Sequence, residues 1–332
     1  MSVYIIAEAG VNHNGQLDLA LKLCDAAKEA GVDAVKFQTW KTENIVTAQA
    51  RQAAYQTENT WVEESQYDML KKLELSYDHF RYISDYCQKI GIDFLSTPDE
   101  EESLEFLVSL GLPFIKVGSG EVTNIPYLRK IGACKKPVIL STGMSNLAQV
   151  ATAYDTLLAA GATKVSLLHC TTNYPCPYDE VNLRAMQTLK DAFKCQVGYS
   201  DHTMGTEVPV AAVAMGAEII EKHFTLDRNM EGPDHKASLE PDELKLMVQQ
   251  IRHIETALGD GVKKPNKSEA ENAKVVQKSI LAKRPIKMGE TLTEDMLVAK
   301  RAGVGISAKY WDMVIGAYAI KDFEIDEPIV LW

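Results

Sequence analysis

Short runs of β-branched and other apolar residues recur along the chain, at residues 3–8, 34–38, 94–97, 114–117, 138–141, 165–170, 196–200 and 218–224. Each ends on a Gly, Ser, Thr or Pro signal and is followed by a helical pattern, the mark of β/α alternation. Amphipathic segments cover residues 17–30, 100–110, 147–160 and 241–258, with apolar positions three and four apart. Eight strands with such crossovers predict a TIM (β/α)8 barrel, because right-handed connections wind the helices around a parallel barrel. A doubly wound open sheet is the alternative, but it usually carries a GxGxxG turn after its first strand and this chain has none. The long connection after the second strand, residues 43–60, is polar and weakly patterned, which predicts a substrate-facing insertion.

Beyond residue 258 the chain reads Gly-Asp-Gly-Val-Lys-Lys-Pro-Asn-Lys-Ser-Glu, a composition that predicts a linker. The expected division is therefore a barrel over 1–258, a linker over 259–275 and a small, mostly β domain over 276–332. So short a domain supports a marginal core, and docking on the barrel or on a second subunit is expected.

Composition narrows the function classes. The 332 residues are 46% hydrophobic and 24% charged, as in ordinary globular proteins, and no stretch approaches the roughly 20 apolar residues of a membrane helix. The net charge of -11 argues against nucleic acid, whose binding needs clustered Lys and Arg. No basic n-region or cleavage site opens the chain, so the cytoplasm is the expected compartment. Six scattered cysteines without CxxC spacing read as reduced thiols.

In a barrel, residues at the carboxyl ends of the strands face the active site. Collected strand by strand, they are Glu8; Lys36 and Gln38; Ser96 and Thr97; Lys116, Ser119 and Glu121; Ser141 and Thr142; His169 and Thr171; Ser200, Asp201 and His202; Lys222 and His223. His202 and His223 end neighbouring strands, a geometry suited to a divalent metal with open positions for water and a carbonyl oxygen; the plainer reading is two hydrogen-bonding histidines. Nitrogen and oxygen ligands favour Mn²⁺ or Mg²⁺ over structural zinc. Lys36 and Lys116 lie on apolar strands, so each ammonium needs an anion. That anion is either an internal glutamate or a ligand phosphate, for which Thr97, Ser119, Ser141 and Ser200 supply hydroxyls. A Schiff-base lysine is a competing role. Glu8 and Glu121 are candidate acid/base groups, or else they balance the lysines.

At these residues the chain resembles the sialic-acid synthase family, which includes N-acetylneuraminate and legionaminate synthases. The carrying segments are Ala7-Glu8-Ala9-Gly10-Val11-Asn12-His13-Asn14-Gly15, Val35-Lys36-Phe37-Gln38-Thr39, Leu95-Ser96-Thr97-Pro98, Gly118-Ser119-Gly120-Glu121 and Leu140-Ser141-Thr142-Gly143-Met144. They continue with Leu168-His169-Cys170-Thr171, Gly198-Tyr199-Ser200-Asp201-His202-Thr203, Glu221-Lys222-His223-Phe224-Thr225 and Gly232-Pro233-Asp234-His235. The resemblance covers nearly the whole chain, and nine such segments in order are highly specific.

The resemblance implies a TIM barrel followed by an antifreeze-like (SAF) C-terminal domain, in a homodimer where each C-terminal domain covers the partner's barrel mouth. It implies condensation of phosphoenolpyruvate with an open-chain N-acetylmannosamine-type sugar, giving a nine-carbon 2-keto acid and phosphate. By position, Lys36, Thr97, Lys116, Ser119, Ser141 and Ser200 look like the phosphoenolpyruvate clamp, and Glu8 and Glu121 like the groups managing protons and water. His202 and His223 look like the metal ligands, Mn²⁺ before Mg²⁺, while Asn59, Tyr174, Asp234 and Arg301 resemble sugar-contacting positions. Arg301 stands in Lys-Arg-Ala302-Gly-Val304-Gly where the family pattern is Lys-Arg-Pro-Gly-Asn-Gly, and Ala frees a φ angle that Pro fixes. Thr172 and Asn173 occupy a variable stretch, and either could complete the phosphate or sugar site. The alternatives are another metal-dependent aldolase or phosphoenolpyruvate aldol synthase on the same barrel, and a non-catalytic sugar-binding or ice-binding protein.

Overall fold

The computed structural model describes residues 2–52 and 64–332, and by contacts the chain divides into two compact units, Met1–Gly259 and Asp260–Trp332. In the first unit all eight predicted strands form: β1 (Tyr4–Gly10), β2 (Ala34–Thr39), β3 (Asp93–Pro98), β4 (Ile115–Val117), β5 (Pro137–Ser141), β6 (Lys164–Cys170), β7 (Val197–Asp201) and β8 (Ile219–His223). Every ladder between them is parallel, and the sheet order is β3-β2-β1-β8-β7-β6-β5-β4. The end strands β3 and β4 pack side by side, so the sheet curls into a nearly closed barrel. A doubly wound sheet would reverse strand order in its middle, and this one does not.

Helices wrap the barrel: α1 (Leu17–Ala30), α2 (Gln66–Leu73), α3 (Tyr77–Ile90), α4 (Glu101–Ser109), α5 (Ile125–Ala133), α6 (Leu147–Ala160), α7 (Arg184–Phe193), α8 (Glu207–Ala214) and α9 (Pro241–Leu258). Their ends follow local chemistry. Ser76 caps α3 by accepting from the His79 N–H, Asn146 and Gln149 form a capping box at α6, and Gly31 ends α1 in the left-handed region. The pair α2 and α3 was not among the helices expected from spacing; buried Met69, Leu73, Phe80, Ile83 and Cys87 fix their inner faces.

Alternation along the strands sorts side chains into two layers. Ile5, Ala7, Val35 and Phe37 belong to the large core between sheet and helices. Ile6, Ala34, Leu95, Ile139, Leu168 and Ile219 fill the barrel interior. Two residues further along each strand lie Glu8, Lys36, Thr97, Ser141, Cys170 and Glu221, so an apolar plug forms the floor of a polar chamber at the carboxyl ends.

The second unit has its own core of Ile280, Ala282, Ile286, Leu292, Leu297, Val314, Ala319, Phe323 and Ile329. Strands β9 (Lys278–Ala282) and β10 (Leu297–Arg301) pair antiparallel, and isolated bridges such as Ile286 to Phe323 extend the β character. The stretch expected to be a linker is partly helical: α10 (Lys267–Val276) starts on a capping box between Asn266 and Glu269 and buries none of its side chains. Among the described residues, no helix is long and apolar enough to cross a membrane.

Candidate active site

At the carboxyl end of the barrel lies a cavity of about 180 Å³, walled by residues from β1 to β8 and the loops that follow them. Of the residues singled out from the sequence, Glu8, Lys36, Thr97, Lys116, Ser119, Ser141, Tyr174, Ser200, His202 and His223 all line it. They come from positions up to two hundred residues apart, gathered because each ends a strand or begins the loop behind it.

One wall is an ion network. Lys36 Nζ sits 2.7 Å from Glu8 Oε2, 3.8 Å from Glu221 Oε2 and 3.0 Å from Thr97 Oγ1. Lys116 Nζ lies 3.4 Å from Glu221 Oε1 and donates to Ser141 Oγ at 2.8 Å. Ser200 Oγ donates to Glu221 Oε1 at 3.0 Å. All these charged side chains are nearly inaccessible to solvent, so their charges are set by each other. Burial pushes the Glu221 carboxyl up, but the Lys116 and Lys36 ammoniums outweigh it and hold the group below the ordinary carboxylate range. Glu8 goes the other way: burial and the Glu221 charge raise it, and Lys36 offsets only part. Lys116 is lowered by burial, partly restored by Glu221. The internal-glutamate reading of the lysines therefore holds for both. Two ammonium groups beside a row of hydroxyls have the chemistry of an anion site.

The opposite wall is aromatic. The His202 and His223 rings are 5.3 Å apart and edge-on, and Tyr174 packs against both, at 4.0 and 5.5 Å. His202 Nδ1 lies 2.6 Å from the Thr171 carbonyl oxygen. A carbonyl only accepts, so Nδ1 carries a proton and Nε2 is the nitrogen that a metal would take. His223 is kept neutral by burial and by the neighbouring His202, and its Nδ1 is buried with no hydrogen-bond partner among the described residues. Burial pulls His202 down, but the Cys170 thiol and the Thr171 carbonyl beside it outweigh that and raise it; once it gives up a proton, the two rings offer two nitrogens to a divalent ion. Among the described residues, no group of three or more His, Cys, Asp or Glu side chains could hold one, so these two would leave most coordination positions to water and substrate.

Asp234 approaches this wall, its Oδ2 3.9 Å from His223 Nδ1, though it does not line the cavity. Burial pushes its carboxyl up to about 6, against the pull of His202.

Residues 23–263 match the NeuB family over most of the barrel, and residues 277–331 match the SAF domain. The chain belongs to the NeuB family. It is similar to the N,N'-diacetyllegionaminic acid synthase of Campylobacter jejuni, 52% identical over 98% of both chains. The N,N'-diacetyllegionaminic acid synthase of Legionella pneumophila is 47% identical over 96% of this chain and 90% of its own. Among solved structures, an N-acetylneuraminic acid (sialic acid) synthetase from Leptospira borgpetersenii is 36% identical, with a TM-score of 0.72 over 82% of this chain and 90% of its own. This NeuB-family chain is an enzyme of the sialic-acid synthase type.

Several expected positions fall elsewhere. Glu121 sits on the turn Ser119–Glu121 after β4, where its carboxylate accepts from Asn124 Nδ2 at 2.6 Å, and it does not line the cavity. Arg301 ends β10 in the second unit and is exposed. Asn59 lies outside the described residues. Of Thr172 and Asn173, Thr172 lines the wall. Asp201 and Lys222, read as rim residues, face out of the barrel and pair at 2.5 Å with no exposure at all. Neighbours on a strand cannot both face inward. The same parity gives the residue that was missed: Glu221, between outward Ile220 and Lys222, must share the face of Ile219 and His223. Asp99 and Met144 also line the cavity, from the loops after β3 and β5.

Proposed function

We propose that this enzyme condenses phosphoenolpyruvate with an open-chain N-acetylmannosamine-type aldehyde, or its 2,4-diacetamido-6-deoxy analogue, to give a nonulosonic acid and phosphate. The observation that carries this is the division of one cavity into an anion-binding wall and an imidazole wall. Lys36, Lys116, Thr97, Ser119, Ser141 and Ser200 hold the phosphate and carboxylate of the donor. His202 and His223 would hold Mn²⁺, or alternatively Mg²⁺, which when bound supplies Lewis-acid polarisation of an aldehyde oxygen. Donor and acceptor thus meet with C3 of phosphoenolpyruvate facing the aldehyde carbon.

A bond forms between those two carbons, and the new alkoxide takes up a proton. Water then adds at C2, and the bond from C2 to the phosphate oxygen breaks to release phosphate. Glu8, raised by burial, is able to hold and pass a proton at neutral pH beside the donor. Asp234, Tyr174, Asn59 and Arg301 serve the sugar, Arg301 from the partner in a domain-swapped homodimer. The product in the names of the Campylobacter and Legionella relatives, N,N'-diacetyllegionaminic acid, favours the diacetamido sugar. Six free cysteines accord with a cytoplasmic enzyme.

Mass spectrometry of the products formed from phosphoenolpyruvate and each sugar, with Mn²⁺, tests the reading. A nine-carbon keto acid is expected from at least one sugar, and none from the H202A variant. Cleavage of the keto acid without any use of phosphoenolpyruvate would instead establish an aldolase.

A further inference from the structure

Two sequence motifs, of which this chemistry uses only Asp234, meet beside the cavity. One is Asn12-His13-Asn14 in the loop after β1, and the other is Gly232-Pro233-Asp234-His235 in the loop between β8 and α9. Asn12 is 1% exposed, and its Nδ2 donates to the Phe224 carbonyl at 2.8 Å and to Ser238 Oγ at 2.9 Å. Ser238 Oγ donates in turn to the Asp234 carbonyl at 2.7 Å.

A second chain of bonds runs alongside. His235 is fully buried, with Nε2 3.1 Å from Asn14 Oδ1 and Nδ1 2.6 Å from Thr225 Oγ1. An amide oxygen only accepts, so Nε2 carries the ring proton and Nδ1 accepts from the threonine hydroxyl. Asn14 closes the staple by donating from Nδ2 to the Glu231 carbonyl at 2.9 Å. The loops pack so closely here that a Cβ on Gly232 would meet His235 Cδ2 at 2.6 Å and Asn14 Oδ1 at 2.9 Å.

The backbone is therefore held at residues 231 and 234, and the His235 ring is anchored beside them, around the Asp234 carboxylate that lies 3.9 Å from His223 Nδ1. We propose that Asn12 and Ser238, together with Asn14 and His235, are positioning residues that aim Asp234 at the acceptor sugar. The inference rests on the assignment of Asp234 to the sugar made above. Moving a side chain by about 1 Å is enough to lose its contribution, and a buried network fixes such a position better than the loop could alone.

Steady-state kinetics of the full-length variants S238A, N12A and D234N test it. Each of S238A and N12A is expected to raise KM for the sugar about tenfold, while KM for phosphoenolpyruvate stays near wild type. A uniform packing defect would move both KM values together, and that result overturns the proposal. If D234N raises the sugar KM and the other two do not, the positioning role alone falls. If D234N leaves the sugar KM unchanged, the assignment of Asp234 falls and the positioning role with it. Should N12A fail to fold, S238A, which loses a single hydroxyl, carries the same test.

Discussion

Glu221 answers two ammonium groups at once, and its neighbourhood decides how the cavity handles charge. It lies 3.8 Å from Lys36 and 3.4 Å from Lys116. The E221Q variant keeps the shape but leaves Lys116 without a carboxylate partner in a buried site. It should lose about 3–5 kcal/mol of stability, measured by urea unfolding, the usual consequence of breaking a buried pair from one side. A loss below about 1 kcal/mol would show that water or movement relieves the charge. Asp99 gives a test with a defined sign. Burial pushes its carboxyl from 3.8 up to about 7, with Lys36 pulling the other way. The fold thus prefers the protonated acid, and the stability this group contributes is present below pH 3.8 and is lost as pH rises through about 7. In D99N the neutral form is kept at every pH. Melting curves of D99N should therefore gain on wild type between about pH 4 and pH 7 and run parallel above it. Curves that stay parallel throughout would contradict the account.

Among the elements, β7 and β8 place Ser200, His202, Glu221 and His223 at the cavity, and they show what a sequence can and cannot reveal. The strands themselves, their order and their carboxyl-end polar residues were legible, because apolar runs and helical periods are local signals. Which neighbour on a strand faces inward was not fully read, although the two-residue period contains it: Glu221 was passed over and Lys222 taken in its place. Asp201 and Lys222 instead sit opposite each other across the ladder, on the outer face, directly behind the strand ends that bear His202 and His223. The Asp201 carboxylate also accepts from the Thr203 N–H at 3.0 Å and its hydroxyl at 3.1 Å. D201N should cost about 3–5 kcal/mol in chemical unfolding, since it strands a fully buried ammonium. The double variant D201L/K222M should recover most of that loss, because an apolar pair replaces the charges. A double variant as unstable as D201N would mean that the Thr203 bonds, and not the charge, hold this corner.

On the scale of the whole molecule, the barrel and the C-terminal unit have separate cores, as the Gly-, Pro- and charge-rich break after residue 258 suggested. The helical half of that break, α10, was hidden because its positions carry no apolar stripe to bury. Convergence is the property that local pattern does not encode. Lys36 on β2 and Lys116 on β4 are brought to one mouth by closure of the sheet, whereas His202 and His223 meet because β7 and β8 are neighbours. Arg301 belongs to the second unit, where no cavity-lining role can be read from the strand that bears it. An overall charge of -11 also frames the site: Lys36 and Lys116 are cations buried inside the barrel of an acidic protein.

Phosphate release is the most direct readout of the proposed reaction, in which an anionic donor lies on one wall of the cavity and an aldehyde on the other. The purified protein, stripped of metal with a chelator, is assayed with phosphoenolpyruvate alone, with phosphoenolpyruvate and sugar, and again after Mn²⁺ is restored. Phosphate should appear only when donor, acceptor and metal are all present, in equal amount to the keto acid formed. Release without the sugar, or at an undiminished rate after the metal is removed, would contradict the account.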